Sequence, residues 1–84
     1  METVQIIGYL AAAAVVLGFV PQVIRVIKTR RTRDISLGMF IILPIGASLW
    51  LAYGWMIGDL PIIITNLSLL ILQVIIVIFK LKLG

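Results

Sequence analysis

Away from their ends, the apolar runs of this sequence hold eight side chains that can form hydrogen bonds: Gln22, Ser48, Trp50, Tyr53, Thr65, Asn66, Ser68 and Gln73. None is a carboxylate, an amine or an imidazole. The three acids, Glu2, Asp34 and Asp59, fall at the edges of the runs, and the chain has no histidine or cysteine. Histidine acid–base catalysis, thiol chemistry and disulfides are therefore excluded, and a zinc site is argued against. Proton coupling normally needs an ionisable group at membrane depth, and none is placed there. The chemistry left is recognition. A carboxamide both donates to and accepts from hydroxyls, and an indole face packs against the C–H face of a sugar ring. The sequence is expected to be no enzyme and to need no cofactor.

The elements that must position these groups follow from composition. Of 84 residues, 63% are apolar and 12% charged, against a soluble norm of about 25% charged. A single small domain cannot bury that much apolar surface from water, so the bilayer is its solvent. Three stretches, about 4–27, 37–57 and 61–79, each approach the roughly 20 residues a crossing needs. Asp34 or Ser36 can cap the second helix, and Pro61 suits the first turn of the third. The start of the chain carries no basic segment or cleavage-like site, so no signal peptide is read.

All the basic residues, Arg25, Lys28, Arg30, Arg31, Arg33, Lys80 and Lys82, fall on one side of a three-span arrangement. The positive-inside rule makes that side cytoplasmic, with the N-terminus out and the C-terminus in. A short basic loop beside a span sets topology, so no nucleic-acid partner is expected.

Depth brings two of the polar residues together. Trp50 lies seven residues before the end of the second span and Asn66 five after the start of the third. Both sit roughly 8 to 11 Å below the same membrane edge, so one ligand can touch both. Met39, Leu43, Trp50 and Tyr53 share a stripe at helical spacing, with Gly46 and Ala47 between them. Asn66 and Gln73 are two turns apart on one face. Taken singly, Trp50 reads as packing and Asn66 as a bond between helices; their matched depth favours a shared site. Trp55 reads as an interface anchor. Ser48, Thr65 and Ser68 can bond their own backbone, and Gln73 is open between a lining role and an interhelical bond. Gly54 to Gly58 fits a weak GxxxG pattern. Pro21 frees the carbonyl of Leu17, and Gly18 softens the same turn, so the first helix is expected to bend there.

Pro21-Gln22, the basic Lys28 to Arg33 loop, the Asp34 to Leu37 segment, Met39-Phe40, Pro44, Trp50 and Asn66 together resemble the bacterial SemiSWEET sugar transporters of the MtN3/PQ-loop class. The resemblance covers nearly the whole chain. It implies an all-α membrane protein, a three-transmembrane-helix bundle that forms a parallel C2 homodimer of six helices around a central translocation route. Three helices alone enclose no useful pore, which points the same way. The implied function is facilitative, uncoupled transport of a mono- or disaccharide across the bacterial cytoplasmic membrane by alternating access. The resemblance assigns Trp50 and Asn66 to the substrate pocket, and Pro21, Gln22 and Pro44 to the hinge. It places Phe19 and Met39 at the cytoplasmic gate and Tyr53 and Asp59 at the outer gate. Some relatives carry an arginine near Ile57 that can pair with the gate aspartate; this chain has none. Two other readings stand beside it: a PQ-loop carrier of another polar solute such as an amino acid, and a holin-like or regulatory membrane peptide.

Overall fold

The computed structural model describes residues 2–84. The first helix, α1 (Thr3–Thr29), opens where Gln5 Oε1 accepts a hydrogen bond from Glu2 N at 3.4 Å. It closes on Arg30, a non-glycine residue in the left-handed region at φ 54° whose N–H reaches Val26 O. The second, α2 (Leu37–Ile57), is capped by Ser36, whose Oγ accepts from Met39 N at 3.2 Å. Of the two candidate caps, Ser36 takes the role. Gly58, at φ 69°, turns the chain out of α2, a conformation that glycine adopts without steric cost. Asp59 then caps α3 (Leu60–Leu83), accepting from Ile62 N at 3.1 Å, with Pro61 in the first turn. The helices α1 and α3 outrun their apolar stretches, since Lys28, Lys80 and Lys82 continue the helix beyond the hydrocarbon pattern.

All three helices are long and apolar enough to cross a membrane. Chain order is not spatial order. Helix α3 packs against both neighbours, and α1 and α2 do not approach each other backbone to backbone. The result is a slab with extents 44 × 22 × 14 Å. Its length matches a bilayer with its headgroups, about 40–45 Å, and its thickness is close to that of one helix. So thin a body buries little: Ala12, Val23, Val26, Ala47 and Ile76 form the apolar core. Leu17, Leu49 and Met56 stay exposed, which is stable only against lipid or another protein.

Small residues set the closest approaches. A Cβ on Gly54 would lie 2.6 Å from Ile62 Cγ2, so α2 and α3 touch there with no room for a methyl. A Cβ on Gly8 would lie 3.3 Å from the Pro61 ring. At the other extremity the α1–α2 loop is tied to α3. Thr32 is 2% exposed, and its carbonyl accepts from Lys80 Nζ at 2.8 Å.

Candidate functional site

The contacts at Gly54 and Gly8 fix the register of the three helices. Helices α2 and α3 are joined by a tight turn and run antiparallel, so each residue back from Gly54 pairs with one forward from Ile62. Four residues on, Trp50 stands level with Asn66. This is a separate route to the matched depth that residue counting from the membrane edge gives.

Helical spacing then says which sides face each other. Helix α3 turns Ile62, Asn66, Leu69, Gln73 and Ile76 one way. Gln73 and Ile76 are buried, while Ile64, Leu67, Ile71, Val74 and Ile78 on the opposite side are exposed. The inward stripe is the floor of a crease whose walls are α1 and α2. Two clefts open along it. One, of about 700 Å³ at the basic end, is lined by Gln22, Thr29, Ser36, Met39, Phe40 and Ile76 among others. The second, of about 630 Å³ at the Asp59 end, includes Gly8, Val15, Asp59, Pro61, Thr65 and Asn66. Both volumes are in the range of small-molecule sites, about 300–1,000 Å³.

Trp50 is 56% exposed and meets Tyr53 edge to face, ring centroids 5.4 Å apart at 88°. That contact orients the indole and leaves a face free. Asn66 Nδ2 donates to Ile62 O at 2.8 Å, one turn back on its own helix. Its Oδ1 is left as the group available to accept from a ligand hydroxyl. The pair is level but not bonded, and only Asn66 lines the Asp59-end cleft. Ser48 and Thr65 donate to their own backbone, to Pro44 O and Pro61 O at 2.7 Å.

The sequence pattern of the MtN3 family, described as "Sugar efflux transporter for intercellular exchange", matches residues 2–83. The chain belongs to the MtN3 family. Among relatives of this MtN3 chain, "Sugar transporter SemiSWEET" of Bradyrhizobium diazoefficiens is 43% identical over 96% of this chain and 94% of its own. The protein of the same name from Leptospira biflexa is 46% identical over 94% of this chain and 93% of its own. The crystal structure of a bacterial homologue of SWEET transporters superposes with a TM-score of 0.93 at 38% identity, covering 99% of this chain and all of the other. This MtN3 chain is thus an all-α, multi-pass bacterial membrane protein. The match does not favour a holin-like peptide or a carrier of another solute.

The structure distributes the remaining candidate residues of this MtN3 protein along the crease. Gln22 and Met39 line the cleft at the basic end. Phe19 meets Phe40 across the gap between α1 and α2, ring centroids 6.2 Å apart. Pro21 and Pro44 each sit inside an unbroken helix. Asp59 lies at the opposite end with its carboxylate engaged as the α3 cap. Sequence reasoning did not assign the Asp59 cap, the partner of Phe19 or the tie between the basic loop and α3. Phe40 completes the ring pair, and its spacing of seven residues before Ala47, on the α3-facing side, was the available signal. The Lys80–Thr32 clasp left no signal, because it joins residues far apart in the chain.

Proposed function

We propose that this chain carries a mono- or disaccharide across the bacterial cytoplasmic membrane as an uncoupled uniporter, working as a parallel C2 homodimer. The observation that carries the reading is the matched height of Trp50 and Asn66 on neighbouring helices of a slab one helix thick, with Asn66 lining a cleft in it. An indole face and a carboxamide oxygen at one height suit a ring with apolar C–H faces and hydroxyl edges. A half-exposed Trp50 and Tyr53 need a cover, and a second copy inserted in the same direction supplies one by two-fold symmetry. The basic end is the cytoplasmic side, by the positive-inside rule. Phe19, Phe40 and Met39 then form the inner gate, and Tyr53 and Asp59 the outer. Asp59 works there as a helix cap with no basic partner in its own turn.

Uncoupled transport follows from where the acids sit. Glu2 and Asp59 are helix N-caps and Asp34 is in the basic loop, so no carboxylate is at mid-depth. Sugar exchange in proteoliposomes should run at the same rate with a proton gradient as after an uncoupler collapses it. Strong inhibition by the uncoupler would contradict uniport.

In this reading Pro21 is a hinge. Pro21→Ala restores the missing N–H donor and removes the ring clash, stiffening α1. The restored bond is worth on the order of 1 kcal/mol, so folding survives. Alternating access needs two end states close in free energy, and a stiffer helix biases one of them. Calorimetric sugar binding should persist while counterflow falls. A variant that binds and exchanges like the parent would make the proline a static feature.

A further inference from the structure

Gln73 is 4% exposed, and its Oε1 has no hydrogen-bond partner among the described residues. A carboxamide acceptor sealed off in this way keeps its full desolvation cost with nothing to offset it, where leucine would incur none. As a bond between helices Gln73 fails, because the bond is not made. Its position suggests what the group is kept for. On α3 it lies on the same inward stripe as Asn66, seven residues further toward the basic end, roughly 10 Å along the axis. Three residues further still, Ile76 lines the basic-end cleft.

The register of the helices places Gln73 more sharply. Eleven residues forward from Ile62 is Gln73, and eleven back from Gly54 is Leu43, beside Pro44. Helices α1 and α3 run parallel, so from the Gly8–Pro61 contact Val20, beside Pro21, comes level with Gln73 as well. The buried amide therefore lies at the height where both walls carry a proline. By the same register Phe19 stands one residue from that height on one side, and Phe40 three on the other. The ring pair that joins α1 to α2 thus brackets Gln73.

We propose that Gln73 is a second hydrogen-bonding station for the sugar, met after the Trp50–Asn66 level and masked while Phe19 and Phe40 are in contact. It deepens the sugar-transport reading and rests on it. When the walls part at their prolines, the amide is uncovered and a passing hydroxyl donates to Oε1. A hydroxylated solute thereby keeps a polar partner through an otherwise apolar constriction. One sugar ring cannot reach Asn66 and Gln73 at once, so it meets them in turn.

Two variants test this in proteoliposomes, with radiolabelled glucose and sucrose as probes. Gln73→Leu should melt at or above the parent temperature and bind sugar at equilibrium like the parent. Its counterflow should fall about tenfold, the effect of one lost hydrogen bond at the constriction. Gln73→Cys is the sole thiol in a chain without cysteine. A small thiol reagent applied from the basic end should label it, and saturating sugar should slow the labelling. Unchanged counterflow in Gln73→Leu overturns the station, and so does labelling indifferent to sugar. A lower melting temperature with an unchanged rate assigns Gln73 to packing and also overturns it. Failure of the sugar reading itself is separate: the unsubstituted protein then shows no counterflow, and the station falls with it.

Discussion

Trp50→Ala and Asn66→Ala each bring sugar transport close to the level of empty liposomes while the protein still folds and assembles. Trp50 is half exposed in the protomer, and Asn66 already bonds its own helix, so neither substitution opens a cavity in the core. The loss falls on the ligand. A stacking surface or a hydrogen bond to a bound hydroxyl is worth on the order of 1–3 kcal/mol, and two-fold symmetry removes it twice. The combined loss is about 30-fold or more in binding. Tyr53→Phe is the informative companion, since it keeps the edge-to-face contact at 5.4 Å that orients the indole. It should retain most of the transport that Trp50→Ala loses. Transport by equilibrium exchange, alongside dimer content by cross-linking, checks all three. Normal transport by a well-assembled Trp50→Ala dimer would remove that residue from the site.

Gly54→Leu should prevent the helices from docking, and Gly54→Ala should already destabilise. An alanine Cβ would sit 2.6 Å from Ile62 Cγ2 and 3.0 Å from Ile62 Cβ, with the Ile63 backbone at 3.3 Å behind them. A branched methyl on a helix cannot swing aside as the tip of a long side chain can, so the helices must part. Overpacking of this kind costs about 1–3 kcal/mol. The better helix propensity of alanine returns at most about 1 kcal/mol, so crowding wins. Gly46→Ala, with nothing within 4 Å of its Cβ in the protomer, is the control and should stabilise slightly. Melting of the detergent-solubilised protein reads both signs. A Gly54→Ala protein as stable as Gly46→Ala would show that α2 and α3 approach less closely than described.

Much of this was legible in the residues alone. A crossing helix must satisfy its own backbone and face an apolar solvent, so its length and composition are nearly all local information. That is why the three helices, a cap at Asp34 or Ser36 and the place of Pro61 could be read from residue types. The self-bonding of Ser48 and Thr65 was legible for the same reason, since the partner carbonyl lies one turn away. Trp50 and Asn66 could be paired because depth is a one-dimensional quantity, set by counting from a membrane edge.

What depends on which helix stands beside which was not legible. Nothing in the chain order says that α3 sits between α1 and α2, and a stripe on a helix does not name its neighbour. Gln73 shows the consequence. Its spacing from Asn66 was clear, but only the packed structure reveals that it is sealed and unpartnered. Asp59 shows another. Its carboxylate caps α3 through Ile62 N, a local role that the residue types did not bring to notice, whereas the gate role proposed for it depends on a second copy.

The central claim is that two copies of this chain suffice to carry sugar downhill, with nothing else in the membrane. The direct measurement is time-resolved uptake of radiolabelled glucose and sucrose into liposomes containing only this purified protein. Saturable uptake of at least one of them is expected, levelling off when the internal concentration equals the external. Uptake no faster than in empty liposomes for both, or accumulation above the external concentration, would contradict the claim.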